Sequence, residues 1–437
     1  MNDNVQIYAA RRAAFTQQMS EGLAIFPASP QSIRSNDTEY RYRQDSDFHY
    51  LTGFPEPEAL CLLSPQHDAE KFILFVRPRD KEKEVWTGRR FGAEGAKELF
   101  GADAAYTIDK LDEILPQHLA IAEKVYYWFA RDERMNAKIL DLINRARMMR
   151  PRNGRGPTAM IDPGEILHEM RLFKSEGELG LMQRAITAST AAHQTAMTQT
   201  RPGMYEYEVE ALLESQFRRH GAVGPAYPSI VASGVNATIL HYIENSRQMR
   251  EGDLLLIDAA AEYENYCSDV TRTFPVGSHF SPVQKDVYSL VLTAQKEAIA
   301  LVRPGVRFDD VHQRATEILV DGLKQFGLLA GDTKEIIEKG DHRKFYMHRT
   351  SHWLGMDVHD VGKYKSGDES RVLEPGMVLT VEPGIYIAED AEGVVDQFRG
   401  IGVRIEDDVL VTAAGHEVLT KTIPKEIEEV EAIRRGA

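Results

Sequence analysis

The chain has 437 residues, a length that suits two domains better than one. Its 43% hydrophobic and 27% charged content fits an ordinary globular protein, and a formal net charge of -15 without a basic stripe argues against nucleic acid as a partner. Only two cysteines occur, Cys61 and Cys267, so there is no disulfide framework and no CxxC metal pair, which fits a reducing compartment.

Met1 to Gly22 lacks an apolar core of signal-peptide length, and Asp3 and Glu21 spoil the presequence character that Arg11-Arg12 would lend. No apolar run approaches the ~20 residues that span a bilayer. The expectation is a cytoplasmic protein with no membrane partner. Phe72 to Val76 reads as a short buried strand, and Arg77-Pro78-Arg79-Asp80 turns the chain after it. Glu94 to Phe100 and Ile108 to His118 read as helices. Met148 to Gly156 is basic and rich in Gly and Pro, and reads as a linker or exposed loop near the domain boundary.

The second part opens at Ser175, three residues before Glu178, the spacing of a capping box. Leu179, Met182, Ala185 and Ile186 follow at helical spacing, and Arg201-Pro202-Gly203 closes the segment. The layout returns with Ser281-Pro282 and Gln284, the stripe Val287, Leu290, Val291 and Ala294, and Arg303-Pro304-Gly305. The two Arg-Pro-Gly triplets lie 303 − 201 = 102 residues apart. Another amphipathic helix follows each, Glu206 to His220 and Phe308 to Phe326. Two helices, then strands, twice over, predict an internal duplication whose halves enclose a cleft.

Candidate chemistry sits at strand ends. Leu254 to Ile257 runs into Asp258, and eleven residues on Asp269 begins an alternating segment with Thr271 and Thr273 on its face. Strands joined by Ala259 to Tyr266 would pair as a hairpin and bring the two carboxylates together. Adjacent carboxylates resist joint ionisation unless a cation neutralises them. His348, His352 and His359 fall within twelve residues, and the spacing of the first two predicts one helix face. Thr350 and Ser351 between them exclude the HExxH zinc pattern. Glu382 ends the strand Val378 to Val381, a costly place for a carboxylate without a partner. In Gly402 to Glu406, Arg404 and Glu406 share a face, for which an exposed ion pair is the ordinary reading. Asp258, Asp269, His352, Glu382 and Glu406 together form a hard, oxygen-rich donor set suited to Mn(II) or a similar divalent ion, with room for two ions ~3.5–4 Å apart.

The order Asp, Asp, His, Glu, Glu in these contexts resembles the pita-bread metallopeptidases, most closely their aminopeptidase P branch. The likeness covers nearly the whole chain. Tyr42 to Phe48, Thr52-Gly53-Phe54 and Glu56-Pro57-Glu58 resemble the N-terminal domain of that branch, and His168 to Arg171 the opening of its catalytic domain. His352 to Asp360 and Val381-Glu382-Pro383-Gly384 resemble its metal segments. The resemblance implies an α+β protein: a smaller N-terminal α/β domain, 1–173, followed by a pita-bread catalytic domain with an internal duplication, 174–437. It implies two divalent ions, Mn(II) first among them, on Asp258, Asp269, His352, Glu382 and Glu406, with Asp269 and Glu406 bridging. It implies hydrolysis of the N-terminal Xaa-Pro bond of peptides by a metal-bridging hydroxide, with Glu382, His359 and His241 catalytic. His241, His348, His359, Arg404 and Tyr227 match substrate-pocket positions. Trp86 and Asp37 match positions that line the cleft from a neighbouring subunit, so a homo-oligomer, tetramer or dimer, is implied. An arginine within 150–155 matches a similar position, without one being singled out. A prolidase acting on Xaa-Pro dipeptides, a non-catalytic binding module and a metal-free creatinase-like hydrolase are the alternatives; the complete ligand set disfavours the last two.

Overall fold

In the computed structural model, which describes residues 3–19, 21–129 and 132–436, the chain divides into two compact units after Met170. The N-terminal unit is built on a six-stranded mixed sheet. Its strands run in the order Ala104–Thr107, Phe72–Val76, Leu60–Leu63, Leu23–Pro27, Lys124–Tyr127, Ala159–Ile161. Phe72–Val76 is buried along its whole length, as its unbroken apolar run requires. Helices Leu111–Ile121 and Glu133–Asn153 cover the sheet, placing Leu115, Leu119, Ile139 and Leu142 against Ile25, Leu62 and Phe75.

The basic stretch expected as a linker at 148–156 is helical as far as Asn153. Pro151 falls in the last turn, where its fixed φ is already helical and only one backbone hydrogen bond is forfeited. Gly154, at φ 74°, ends the helix and donates its N–H to the Arg150 carbonyl. Arg150, Arg152 and Arg155 are all exposed.

The C-terminal unit shows the expected repetition. Helices Glu176–Gln199 and Glu206–Arg219 form one antiparallel pair, Pro282–Leu301 and Phe308–Gln325 the other. Both connections span six residues, 200–205 and 302–307. Gly203 and Gly305 adopt the same left-handed φ, 90° and 89°. Gly203 N donates to Met249 O and Gly305 N to Leu373 O; Glu206 N donates to Arg247 O and Phe308 N to Arg371 O. Two segments of different sequence thus make the same hydrogen bonds at matching places. Each helix pair packs on antiparallel strands: Ile230–Ser233, Leu254–Asp258 and Thr271–Pro275 in the first half, Val378–Val381, Asp407–Thr412 and Gly415–Val418 in the second. The first sheet packs in a core that includes Leu213, Phe217, Ile257, Phe274, Val291 and Leu319, and the second in another with Phe308, Val311, Leu379, Val381 and Val409.

The capping boxes predicted at Ser175/Glu178 and Ser281/Gln284 both form. Ser175→Ala is expected to lower stability by about 1 kcal/mol, because Glu178 N loses its acceptor; a urea midpoint indistinguishable from wild type would contradict this. Among the described residues no helix is long and apolar enough to cross a membrane.

Candidate metal centre

Leu254–Asp258 pairs antiparallel with Thr271–Pro275, and Asp258 lies opposite Thr271. The expected hairpin therefore exists, although its connection carries a small ladder of its own, Ala261–Tyr263 with Tyr266–Cys267. Asp269 lies two residues before its strand rather than in it. The Tyr227 hydroxyl joins the two carboxylates, 2.6 Å from Asp258 Oδ1 and 2.5 Å from Asp269 Oδ1. Burial, then the charges of Asp258 and Asp269, push the phenol pKa far up, so it stays a neutral donor.

The segment carrying His348 and His352 is not helical. Its backbone runs antiparallel beside Val378–Val381, with Leu354 N donating to Val378 O, Thr380 N to His352 O and Glu382 N to Thr350 O. Groups committed to a neighbouring strand cannot close helical turns, and this pairing overrides the i, i+4 reading. The same pairing sets His352 beside Glu382. His352 Nδ1 lies 3.0 Å from the Trp353 carbonyl and donates to it, which turns Nε2 toward Asp269 Oδ2 at 3.3 Å and Glu382 Oε1 at 3.5 Å. That tautomer leaves the Nε2 lone pair available to a cation.

Asp269, His352 and Glu406 offer ligand atoms all within 4.8 Å of one another. Glu382 joins them through His352, and Asp258 through Tyr227. Glu406 accepts from Thr271 Oγ1 at 2.7 Å and Glu382 from Thr380 Oγ1 at 3.4 Å. Burial first, then neighbouring carboxylates, raise the pKa values of Asp269 and Glu406, and that of Glu382 to about 8. Burial opposes protonation of His352, but Asp269 and Glu382 prevail and lift it to about 9. Asp269, Glu382 and Glu406, raised by burial and by neighbouring carboxylates, are groups that a divalent cation would relieve.

Arg404 and Glu406 do not form the exposed pair that their alternation suggested. Arg404 is 3% and Glu406 2% exposed. Arg404 donates to Asp258 at 2.7 Å, to Tyr386 OH at 2.9 Å and to Thr271 Oγ1 at 3.1 Å. The cross-strand demand of Thr271 and Thr273, one bonding the Glu406 side chain and the other the Arg404 backbone, turns this segment inward. Tyr386 is a site residue that sequence reasoning missed; its one signal is a place four residues past Glu382 on the next strand. Its hydroxyl lies 2.8 Å from His348 Nε2, and His348 Nδ1 lies 2.8 Å from Arg349 O. Both His348 nitrogens are thereby engaged. Burial and the Arg404 charge lower His348 to a pKa of about 3, so it is neutral.

His241 and His359 are exposed, and the His359 ring meets that of His352 edge-on at 4.5 Å. Burial and His352 lower the His359 pKa, leaving a neutral ring with one N–H to offer. Trp86 and Asp37 lie in the N-terminal unit, both exposed, Trp86 at 88%. A second cluster, His67, Glu70 and His118, occurs in that unit. There His67 Nδ1 accepts the Glu70 backbone N–H at 2.9 Å, which puts the ring proton on Nε2 and leaves no lone pair for a cation.

Comparison with known proteins agrees with this geometry. Residues 180–413 match metallopeptidase family M24, and residues 8–127 match the aminopeptidase P N-terminal domain. The chain is 46% identical to the Xaa-Pro aminopeptidase of Escherichia coli, over 99% of this chain and 98% of that one. It is 34% identical to human Xaa-Pro aminopeptidase 3, over 97% of this chain and 83% of that one. The structure of Pseudomonas aeruginosa aminopeptidase PepP superposes with a TM-score of 0.96 at 48% identity, covering 99% of this chain and 98% of that one. An alanine variant of E. coli aminopeptidase P in complex with substrate superposes with a TM-score of 0.95 at 45% identity, again over 99% and 98%. The strands of the acidic cluster lie inside the matched segment, and the chain belongs to metallopeptidase family M24 and carries an aminopeptidase P N-terminal domain.

Proposed function

We propose that the chain is an Xaa-Pro aminopeptidase that hydrolyses the N-terminal Xaa-Pro bond of peptides with the help of two divalent ions, Mn(II) first among them. The observation that carries the reading is the cluster of Asp269, His352 and Glu406, with the His352 tautomer set for ligation. Asp258, Asp269, His352, Glu382 and Glu406 would hold the ions. When bound, the ions supply Lewis acidity and lower the pKa of water, which yields a nucleophile near neutral pH.

The chain's own residues do the rest. His359 and His241, both exposed, offer N–H groups to the scissile carbonyl oxygen as charge develops on it. Glu382 carries the proton to the leaving prolyl nitrogen. Tyr227 and Arg404 hold Asp258 and Asp269 in place, and His348, its nitrogens spent, contributes a ring wall. Proline has no N–H, so a strand-like grip on the substrate loses a contact that such a walled pocket replaces.

A dipeptidase needs a cation free to take the substrate's carboxylate. Arg404 commits three of its five N–H donors within the site, to Thr271, Tyr386 and Asp258, which supports the aminopeptidase. The same reading makes the protein a cytoplasmic homo-oligomer, dimer or tetramer, with Trp86 and Asp37 of one subunit and an arginine from 150–155 facing another subunit's cleft. Its two cysteines are buried and form no disulfide, and Trp86 at 88% exposure beside Val85 at 81% is apolar surface that a partner subunit would cover.

Metal-stripped protein is expected to cleave nothing. After addition of Mn(II) it is expected to release the first residue of Xaa-Pro-Xaa, with little action on Xaa-Ala-Xaa or the dipeptide Xaa-Pro. Cleavage of the dipeptide alone would make it a prolidase. Metal bound without cleavage of any peptide would favour a binding module.

A further inference from the structure

Asp360 follows His359 directly and is 5% exposed. Its Oδ1 accepts from Arg171 at 2.6 Å and its Oδ2 from Lys174 at 2.9 Å. Arg171 and Lys174 are themselves 2% and 6% exposed, and Arg171 also donates to Asp357 Oδ2 at 2.8 Å. Burial would raise the Asp360 pKa, yet Lys174 and Arg171 hold it below the ordinary aspartate range, so the carboxylate is ionised. Charges taken out of water are costly, and an apolar contact of the same shape would often hold a loop as firmly. What the ionic arrangement adds is a single geometry.

The geometry concerns the loop between His352 and His359. Asp360 N donates to Trp353 O at 2.9 Å and Gly355 N to Asp357 O at 3.2 Å, which folds the loop back on itself. A Cβ on Gly355 would stand 2.1 Å from Asp360 Oδ2 and 2.8 Å from Lys174 Cε, so the clamp closes against bare backbone. Lys174 is anchored in turn by its own N–H on Gly376 O at 2.8 Å, next to the strand that leads to Glu382. At one end of the loop His352 is fixed by Asp269 and Glu382; at the other, the His359 ring meets it at 4.5 Å and 83°.

We infer that Asp360, gripped by Arg171 and Lys174, is a positioning residue that fixes the His359 imidazole for its contact with the substrate. This rests on His359 being the group that touches the substrate. An Asp360→Asn side chain keeps the shape but can accept from only one cation through its oxygen, while its NH2 confronts the other. The loop then loosens at His359, and a displacement near 1 Å costs roughly 100-fold in rate.

The test is a double-mutant cycle in the metal-loaded enzyme: Asp360→Asn, His359→Ala and both, with kcat, KM and metal content measured. The expected result is a fall in kcat of roughly 10- to 100-fold for Asp360→Asn, two metals per chain, little change in KM, and no further loss when His359 is already alanine. Lys174→Met, which leaves the Arg171 bond, provides a second route should Asp360→Asn fold poorly; it should behave alike. A loss of the same factor in the His359→Ala background would overturn the inference, because the clamp would then act through the fold or the metal ligands. So would wild-type kcat in both clamp variants. Wild-type kcat in His359→Ala alone would remove the role given to His359, and with it the inference; an impaired His359→Ala with additive clamp losses would remove the inference only.

Discussion

Glu382→Ala is expected to abolish measurable turnover, a loss on the order of 10⁴-fold, in a protein that still folds. The backbone at this position is held independently of the side chain, by Glu382 N on Thr350 O and by the paired strand Gly384–Ile387 that follows Pro383. The carboxylate lies 3.5 Å from His352 Nε2, 3.6 Å from His348 Nδ1 and 3.4 Å from Thr380 Oγ1, so alanine removes it from the centre of the site and from little else. Two proposed functions would vanish together, a metal ligand and a proton carrier. Glu382→Gln separates them, since an amide oxygen can still coordinate but its nitrogen does not carry the proton. Stopped turnover in the Gln variant with two metals per chain would assign the proton step to Glu382. Near-normal kcat in the Ala variant with both metals bound would refute its role.

The largest stability effect is expected at Asp407, next to Glu406. Asp407 is fully buried. It accepts from Arg272 at 2.7 Å, Thr420 at 2.7 Å, Gln295 at 2.7 Å and Lys425 at 2.5 Å. Asp407→Ala leaves the fully buried Arg272 without its counter-charge, which costs about 3–5 kcal/mol. Chemical denaturation reads this directly, and a loss under about 1 kcal/mol would show that backbone acceptors alone satisfy Arg272. The pH dependence has a definite sign. Burial would raise the Asp407 pKa, but Arg272 and Lys425 depress it well below the ordinary value. The stabilisation is therefore fully present above about pH 4, where an unfolded aspartate is ionised. It is lost as pH falls from there toward the folded-state pKa, so wild type and Asp407→Asn should converge in stability on acidification.

Strand ends were the legible part of this site. Asp258 and Glu382 each close an apolar run, and a carboxylate there asks for a partner whatever the surrounding fold. The duplication was legible for a similar reason, since Arg-Pro-Gly and the capping residues act within a few positions of themselves. What stayed hidden depends on long-range pairing. The His348 to His352 segment has helical spacing but is drawn out beside Val378–Val381, and that strand alone decides the matter. Arg404 and Glu406 looked exposed because their bonding partner, Thr271, is more than a hundred residues away in sequence. Pro151 misled in the other direction, since at a helix's final turn it does not break what it would break in the middle.

The seam between the two repeats has a consequence for the order of biogenesis. Asp258 and Asp269 belong to the first repeat; His352, Glu382 and Glu406 belong to the second. Thr271, Arg272 and Thr273 bond across to 404–407. Neither repeat carries all five of the proposed ligands. As a chain is made from its N-terminus, the first pair of carboxylates is finished long before its counterparts. If the proposed ligands hold the ions, tight metal capture would wait until residue 406 has been translated and bonded to residue 271. On the proposed ligand set, a nascent chain would offer an ion only half a site, and metal loading would report that the two repeats have docked.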